Sequence, residues 1–151
     1  MKIKTISIFL FLVVLTLSSC TSAPSINKTP EDTIKNFISA GFKGDKETFK
    51  ELIRLPQDED AFVEAYIKIY TQYAVENNAS IENIKIREVK KEELLEGVFE
   101  QMEKEHGYYP TIVEVTEFDQ VPLLFLLEKE DEKYYIRNID TKEKYAYLFI
   151  E

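Results

Sequence analysis

Apolar residues recur at helical spacing through the first half of the chain and at alternating or unbroken spacing through the second. Ile34, Phe37, Ile38, Gly41 and Phe42 fall at i, i+3, i+4, i+7 and i+8, which is one stripe along a helix. Ahead of them Thr29-Pro30-Glu31-Asp32 supplies a cap, a proline at the first helical position and an acidic residue three after the cap, and Gly44 ends the stripe. Asp45 caps a second, short helix that buries Phe49, Leu52 and Ile53 and that Pro56 keeps from continuing. A longer helix opens at Asp58 or Asp60 and carries Phe62, Tyr66, Ile69, Tyr70, Tyr73 and Ala74 on one face until Asn77-Asn78 breaks it.

Beyond that point the period changes. Ile84 and Ile86 alternate with Lys85 and Arg87, predicting a strand over 81–89, and Leu94, Leu95, Val98, Phe99 and Met102 return to helical spacing over 91–105 before His106-Gly107. Strands are predicted over 111–118 and 121–128, where the unbroken Leu123-Leu124-Phe125-Leu126-Leu127 run implies a strand covered on both faces. Asp131-Glu132 marks a turn, 133–139 alternates weakly, and Tyr145 to Ile150 (YAYLFI) reads as a final strand. Helices first and an antiparallel meander after them define an α+β domain, with the N-terminal helices packed on the sheet, over residues 29–151.

The first twenty residues follow a different logic. Met1-Lys2-Ile3-Lys4 is basic, Ile6 to Leu17 is apolar apart from Ser7 and Thr16, and polar Ser18-Ser19 follow at once. A membrane span needs about 20 apolar residues, so this stretch fits the basic and hydrophobic regions of a cleaved signal peptide over 1–19 better than a transmembrane helix. Leu17-Ser18-Ser19-Cys20 resembles the lipobox of bacterial lipoproteins, a branched apolar residue and two small residues before the cysteine that is modified. That resemblance implies lipidation of Cys20, the only cysteine of the chain, and so an anchor in a membrane with the domain outside the cytoplasm. Several acyl chains, each held by about 0.8 kcal/mol per buried methylene, make such an anchor stable. Thr21 after the cysteine, in place of the Asp that commonly retains lipoproteins in the inner membrane, implies the outer membrane in a double-membrane bacterium. Residues 20–28, rich in Ser, Thr, Asn and Pro, read as a lipidated spacer.

Composition narrows the partners. The chain has 151 residues, 44% of them hydrophobic and 31% charged, which suits one globular domain with no need of a disulfide. Its formal charge of −9 becomes more negative once Lys2 and Lys4 are removed with the signal. That field repels phosphate backbones and anionic headgroups, so nucleic acid is excluded as a partner and the lipid on Cys20 is left as the attachment to the membrane.

The mature pattern also resembles the small bacterial lipoproteins with a nuclear-transport-factor-2-like (cystatin-like) domain, many of unknown function. The resemblance rests on Thr29-Pro30-Glu31-Asp32-Thr33-Ile34-Lys35-Asn36-Phe37-Ile38, on Gly44-Asp45 ahead of Phe49 and Leu52, and on Lys133-Tyr134-Tyr135-Ile136-Arg137-Asn138-Ile139 as a late strand. It implies a sheet curled around the helices into a cone, which relatives use either as an enzyme pocket or as a site for a ligand or partner; fold alone does not choose between these.

Candidate chemistry is sparse. His106 stands three residues after Glu103, two potential metal ligands where a stable site needs three or four, so a histidine at a helix C-terminus is the plainer reading and no metal or cofactor is expected. Tyr66, Tyr70 and Tyr73 are the candidate ligand-binding residues of a cone pocket, although no acid partner for them emerges from spacing, Asp119 lying beside Gln120 in a turn. The acidic groups at 58–60 and 128–132 lack the ligand order and glycine turn of a calcium loop. Tyr145, Tyr147 and Phe149, on the uncharged last segment, are the candidate partner-binding residues at an open strand edge. Serine elbows, phosphate loops and paired CxxC motifs are missing. The expectation is a non-enzymatic binding or assembly module of the cell envelope, meeting an envelope protein or a small apolar ligand. The alternatives are a small cone-pocket isomerase or hydratase and an inhibitor or immunity-type lipoprotein.

Overall fold

The structure is a computed structural model and describes residues 26–55, 59–118 and 121–150. The expected signal peptide, Cys20, the expected spacer up to residue 25, Pro56, Asp58 and Asp119-Gln120 lie outside the described residues.

Helix α1 spans Pro30–Lys43. The Thr29 hydroxyl oxygen accepts the Asp32 amide at 3.1 Å, a cap of the kind that contributes about 1 kcal/mol. Gly44 closes the helix at φ 70°, where its missing Cβ avoids strain. Helix α2, Lys46–Glu51, is capped by the Asp45 carboxylate on the Thr48 amide at 3.1 Å. Helix α3 spans Glu59–Asn77 and crosses α1 where Gly41 meets Tyr70: a Cβ on Gly41 would lie 2.7 Å from the ring. The buried line of α3 is Val63, Ile67 and Tyr70, flanked by half-buried Phe62, Tyr66 and Tyr73, while Ile69 is 57% exposed. The expected stripe is therefore rotated, because Gly41 admits Tyr70 at the centre of the contact and turns Ile69 to solvent.

Strands β1 (Lys85–Glu88), β2 (Thr111–Thr116), β3 (Leu123–Glu130) and β4 (Lys133–Thr141) form one open antiparallel sheet in the order β1-β2-β3-β4. The β3–β4 turn is Asp131-Glu132, both at positive φ (47° and 63°), the conformation a two-residue hairpin loop demands. β1 is shorter than its alternation suggests, since Ile81–Asn83 coil into a 3₁₀ turn whose cap is Ser80. The predicted 91–105 helix is also shortened. Gly97 adopts φ +81° as the cap of helix α4, Val98–His106, while Lys91–Glu93 form a separate 3₁₀ turn and Leu94 pairs with Phe149.

The Leu123–Leu127 run is covered on both faces. Phe125 and Leu127 pack under α1, α2 and α3 with Ile34, Phe37, Phe49, Val113, Val115 and Ile136. Leu124 and Leu126 pack on the opposite face with Val98, Phe99, Met102, Ile112, Tyr145 and Leu148. Alternation sends successive side chains to opposite faces, so a continuous apolar run serves two cores at once.

The predicted C-terminal strand is corrected. Lys142–Leu148 is a 3₁₀ segment, and only Phe149 makes a ladder contact, with Leu94. Tyr145 and Leu148, three apart, lie on one side of a three-residue turn and both enter the second core, leaving Tyr147 58% exposed.

The first described residues are tied to the sheet margin. The side-chain amide of Asn36 donates to the Ile26 carbonyl at 2.6 Å, and the Tyr134 amide donates to the Asn27 carbonyl at 2.9 Å. Docking onto the fold thus begins ahead of the Thr29 cap. Along the outer margin of β4 the Ile136 amide donates to the Leu52 carbonyl, and the Ile139 and Thr141 amides donate to the side-chain oxygens of Asn138 and Asp140.

Candidate functional site

β4 carries one residue too many for its partner. Leu126 pairs with Asn138 but Leu127 pairs with Ile136, so Arg137 sits unpaired in a bulge. Bulges bend a strand and re-aim its side chains, and they collect beside functional sites. Here the bulge opens on a cleft of about 710 Å³ at the sheet margin, within the size range of small-molecule sites. Arg54 and Leu55 from the segment after α2, Phe62 and Tyr66 from α3, and His106 and Tyr108 from the end of α4 complete its walls.

Arg137 organises the floor. Its Nε donates to Glu128 at 2.6 Å, its Nη1 to the Arg54 carbonyl at 3.0 Å and its Nη2 to Glu130 at 3.2 Å. The same guanidinium lies 5.8 Å from the centre of the Tyr108 ring. Arg54 turns back on itself, donating to the Ile53 carbonyl at 2.7 Å and stacking its guanidinium 4.0 Å from the Tyr135 ring centre. Phe62 and Tyr66 stack on one another, centres 4.0 Å apart and planes 22° from parallel. Burial pushes the Tyr108 hydroxyl up to about 12, so it remains a protonated donor at any physiological pH.

The three candidate tyrosines of α3 separate. Tyr66 lines the cleft, Tyr70 is 3% exposed in the core against Phe37, Phe49 and Phe118, and Tyr73 stacks on Phe42 away from the cleft. His106 is the last residue of α4, as its spacing suggests, and also reaches the cleft rim. Among the described residues no group of three or more His, Cys, Asp or Glu side chains is placed to hold a metal.

The three C-terminal candidates separate too. Tyr145 is buried and its hydroxyl oxygen accepts a hydrogen bond from the Asn138 amide at 2.6 Å; burial raises its pKa, and the nearby Asp140 adds to this. Phe149 lines a second surface hollow of about 750 Å³ with Pro122, Lys142, Ala146 and Ile150, beside the exposed Tyr147.

One charged group lies where spacing gave no warning. Glu114, on β2, is 5% exposed and takes Lys142 Nζ at 2.6 Å on one oxygen and Arg87 on the other. Arg87 also reaches Glu93 at 2.8 Å. That contact, with the Lys90 amide, lowers the Glu93 carboxyl to about 2.

Of the cleft residues, the sequence pointed to Tyr66 and His106 but not to Arg54, Tyr108, Glu128 or Arg137. A signal existed: Arg137-Asn138 places two polar residues side by side in an alternating strand, the pattern a bulge leaves.

The molecule is thus an α+β domain whose four-stranded antiparallel sheet is covered on both faces, with an open polar-aromatic cleft at its bulged margin. No family model, curated protein or solved structure matches the chain.

Proposed function

We propose that the protein is a bacterial lipoprotein of the cell envelope, anchored through Cys20, whose nuclear-transport-factor-2-like domain is a non-enzymatic binding module with its site in the Arg137 cleft. The anchor rests on the basic start, the short apolar stretch and Leu17-Ser18-Ser19-Cys20. The fold reading rests on three helices that precede an open antiparallel sheet and pack on one of its faces.

One observation favours binding over catalysis. The space between helices and sheet, where a cone pocket would lie, is filled by Phe37, Phe49, Tyr70 and Phe125, with Phe37–Phe49 centres at 4.0 Å and Phe37–Phe125 at 5.9 Å. Tyr70 therefore packs where a pocket enzyme needs open space for substrate. The open cleft lies outside that core, and its carboxylate Glu128 is paired with Arg137 rather than poised as a base.

Two measurements test the proposal. Cells fed a labelled fatty acid should label wild type and not Cys20→Ala; equal labelling of the two ends the anchor claim. Native mass spectrometry of protein taken from its own membrane should retain a ligand that Tyr66→Ala loses. A ligand held equally by both forms places the site elsewhere.

A further inference from the structure

We infer that the cleft takes an uncharged saccharide; this rests on the cleft being the binding site and adds the chemical class of its ligand. Arg137 is bound to two carboxylates and a carbonyl, and Arg54 donates to the Glu51 and Ile53 carbonyls and stacks on Tyr135, so the two guanidiniums are balanced by the carboxylates of Glu128 and Glu130. Glu128 shares Arg137 with Glu130. An anionic ligand on Arg137 would have to displace Glu128 or Glu130, one on Arg54 would meet no net positive charge once those two carboxylates are counted, and a cationic ligand on Glu128 would have to displace Arg137. Breaking a partly buried pair leaves a charge uncompensated, so ligands of either sign are disfavoured.

What the cleft still offers is neutral and directional. Tyr108 presents a hydroxyl that burial keeps protonated. Asn138 uses one amide hydrogen on Tyr145 and one lone pair on the Ile139 amide, which leaves it a second hydrogen and a second lone pair. His106 adds an imidazole at the rim. Beside these polar groups stands the half-buried Phe62–Tyr66 stack, an aromatic face at the wall of an open cleft. A pyranose ring matches that combination. Its axial C–H face packs on an aromatic plane, and its equatorial hydroxyls both donate and accept, without any charge to neutralise. A purely apolar ligand would bury these polar groups without partners, which costs free energy.

The test uses the full-length protein in detergent micelles and four probes: a neutral tetrasaccharide of N-acetylglucosamine, its monosaccharide, inorganic phosphate and an apolar anionic dye. Saturation-transfer NMR should show the tetrasaccharide bound. The affinity should fall about tenfold in Tyr66→Ala, as for other aromatic anchors, and by a smaller factor in Tyr108→Phe, which keeps the ring and removes only the hydroxyl. Melting temperatures of both variants report whether they fold. Phosphate should not compete. Binding of the monosaccharide as well points to a free sugar, and binding of the tetrasaccharide alone to a glycan chain; both support the class. If phosphate or the dye binds in a Tyr66-dependent manner and neither sugar does, the saccharide is overturned while the cleft stands as a site. If no probe binds in a Tyr66-dependent manner, both the saccharide and the cleft reading fall.

Discussion

The two faces of the sheet are held by different physics. Under α1, α2 and α3 the contact is mainly aromatic and aliphatic: Phe37 touches Phe49, Tyr70 and Phe125, and each of the three phenylalanines is fully buried. On the opposite face an apolar patch of similar kind is interrupted by Glu114 with its two cations and by the Asn138–Tyr145 hydrogen bond. The first face gains chiefly from area removed from water; the second depends more on a few oriented groups that fix where the C-terminal segment lies.

Substitutions on each face should expose that difference. Phe37→Ala, which empties the centre of the first core, should cost about 3–5 kcal/mol in denaturant unfolding. A cost below about 1 kcal/mol would mean that the helices can collapse onto the sheet without it. Gly41→Ala forces a methyl to within 2.7 Å of Tyr70 and should destabilise by about 1–3 kcal/mol, with a larger loss for Gly41→Val. On the second face, Glu114→Gln should cost about 1–3 kcal/mol, because Arg87 and Lys142 are partly exposed and regain water. Hydrogen exchange should quicken most at the Leu95 and Ile150 amides, which bond across the C-terminal segment; uniform quickening over the whole domain would contradict a local clamp. Tyr145→Phe removes one hydrogen-bond acceptor and should cost about 1 kcal/mol.

The smallest effect is a pH dependence. Glu93 has its carboxyl lowered in the fold, first by the Arg87 hydrogen bond and then by the Lys90 amide, from an ordinary 4.5 to about 2. Its contribution is therefore present above the ordinary value and is lost as pH falls through the window down to about 2. The stability gap between wild type and Glu93→Gln should shrink across that window. A gap independent of pH would show the pair to be broken in solution.

The same contrast explains what the sequence disclosed. Period and cap carried α1, α2 and the body of α3, because Thr29-Pro30, Gly44-Asp45 and the apolar stripe are local signals. The Leu123–Leu127 run disclosed two-sided burial for the same reason. Local pattern failed where a distant partner decides. Leu94 has helical spacing with Val98, yet it pairs with Phe149, and the Tyr145–Ile150 segment has strand composition, yet Tyr145 and Leu148 fit the second core only in a tighter turn. The cleft was half visible. Tyr66 and His106 carry chemistry on their face, whereas Arg137 acquires its role from a bulge that needs both strands to exist.

The outer margin of β4 has a consequence for life at high concentration. A bare strand edge is a template for another chain, and growth there leads to fibrils. In this protein the Tyr134, Ile136, Ile139 and Thr141 amides already donate to Asn27, Leu52, Asn138 and Asp140, so that margin offers an incoming strand few hydrogens to bond. The opposite margin is the four-residue β1, whose sequence Lys85-Ile86-Arg87-Glu88 places charge at three of four positions. Crowded against copies of itself, the domain is thus protected from templated polymerisation at both ends of its sheet.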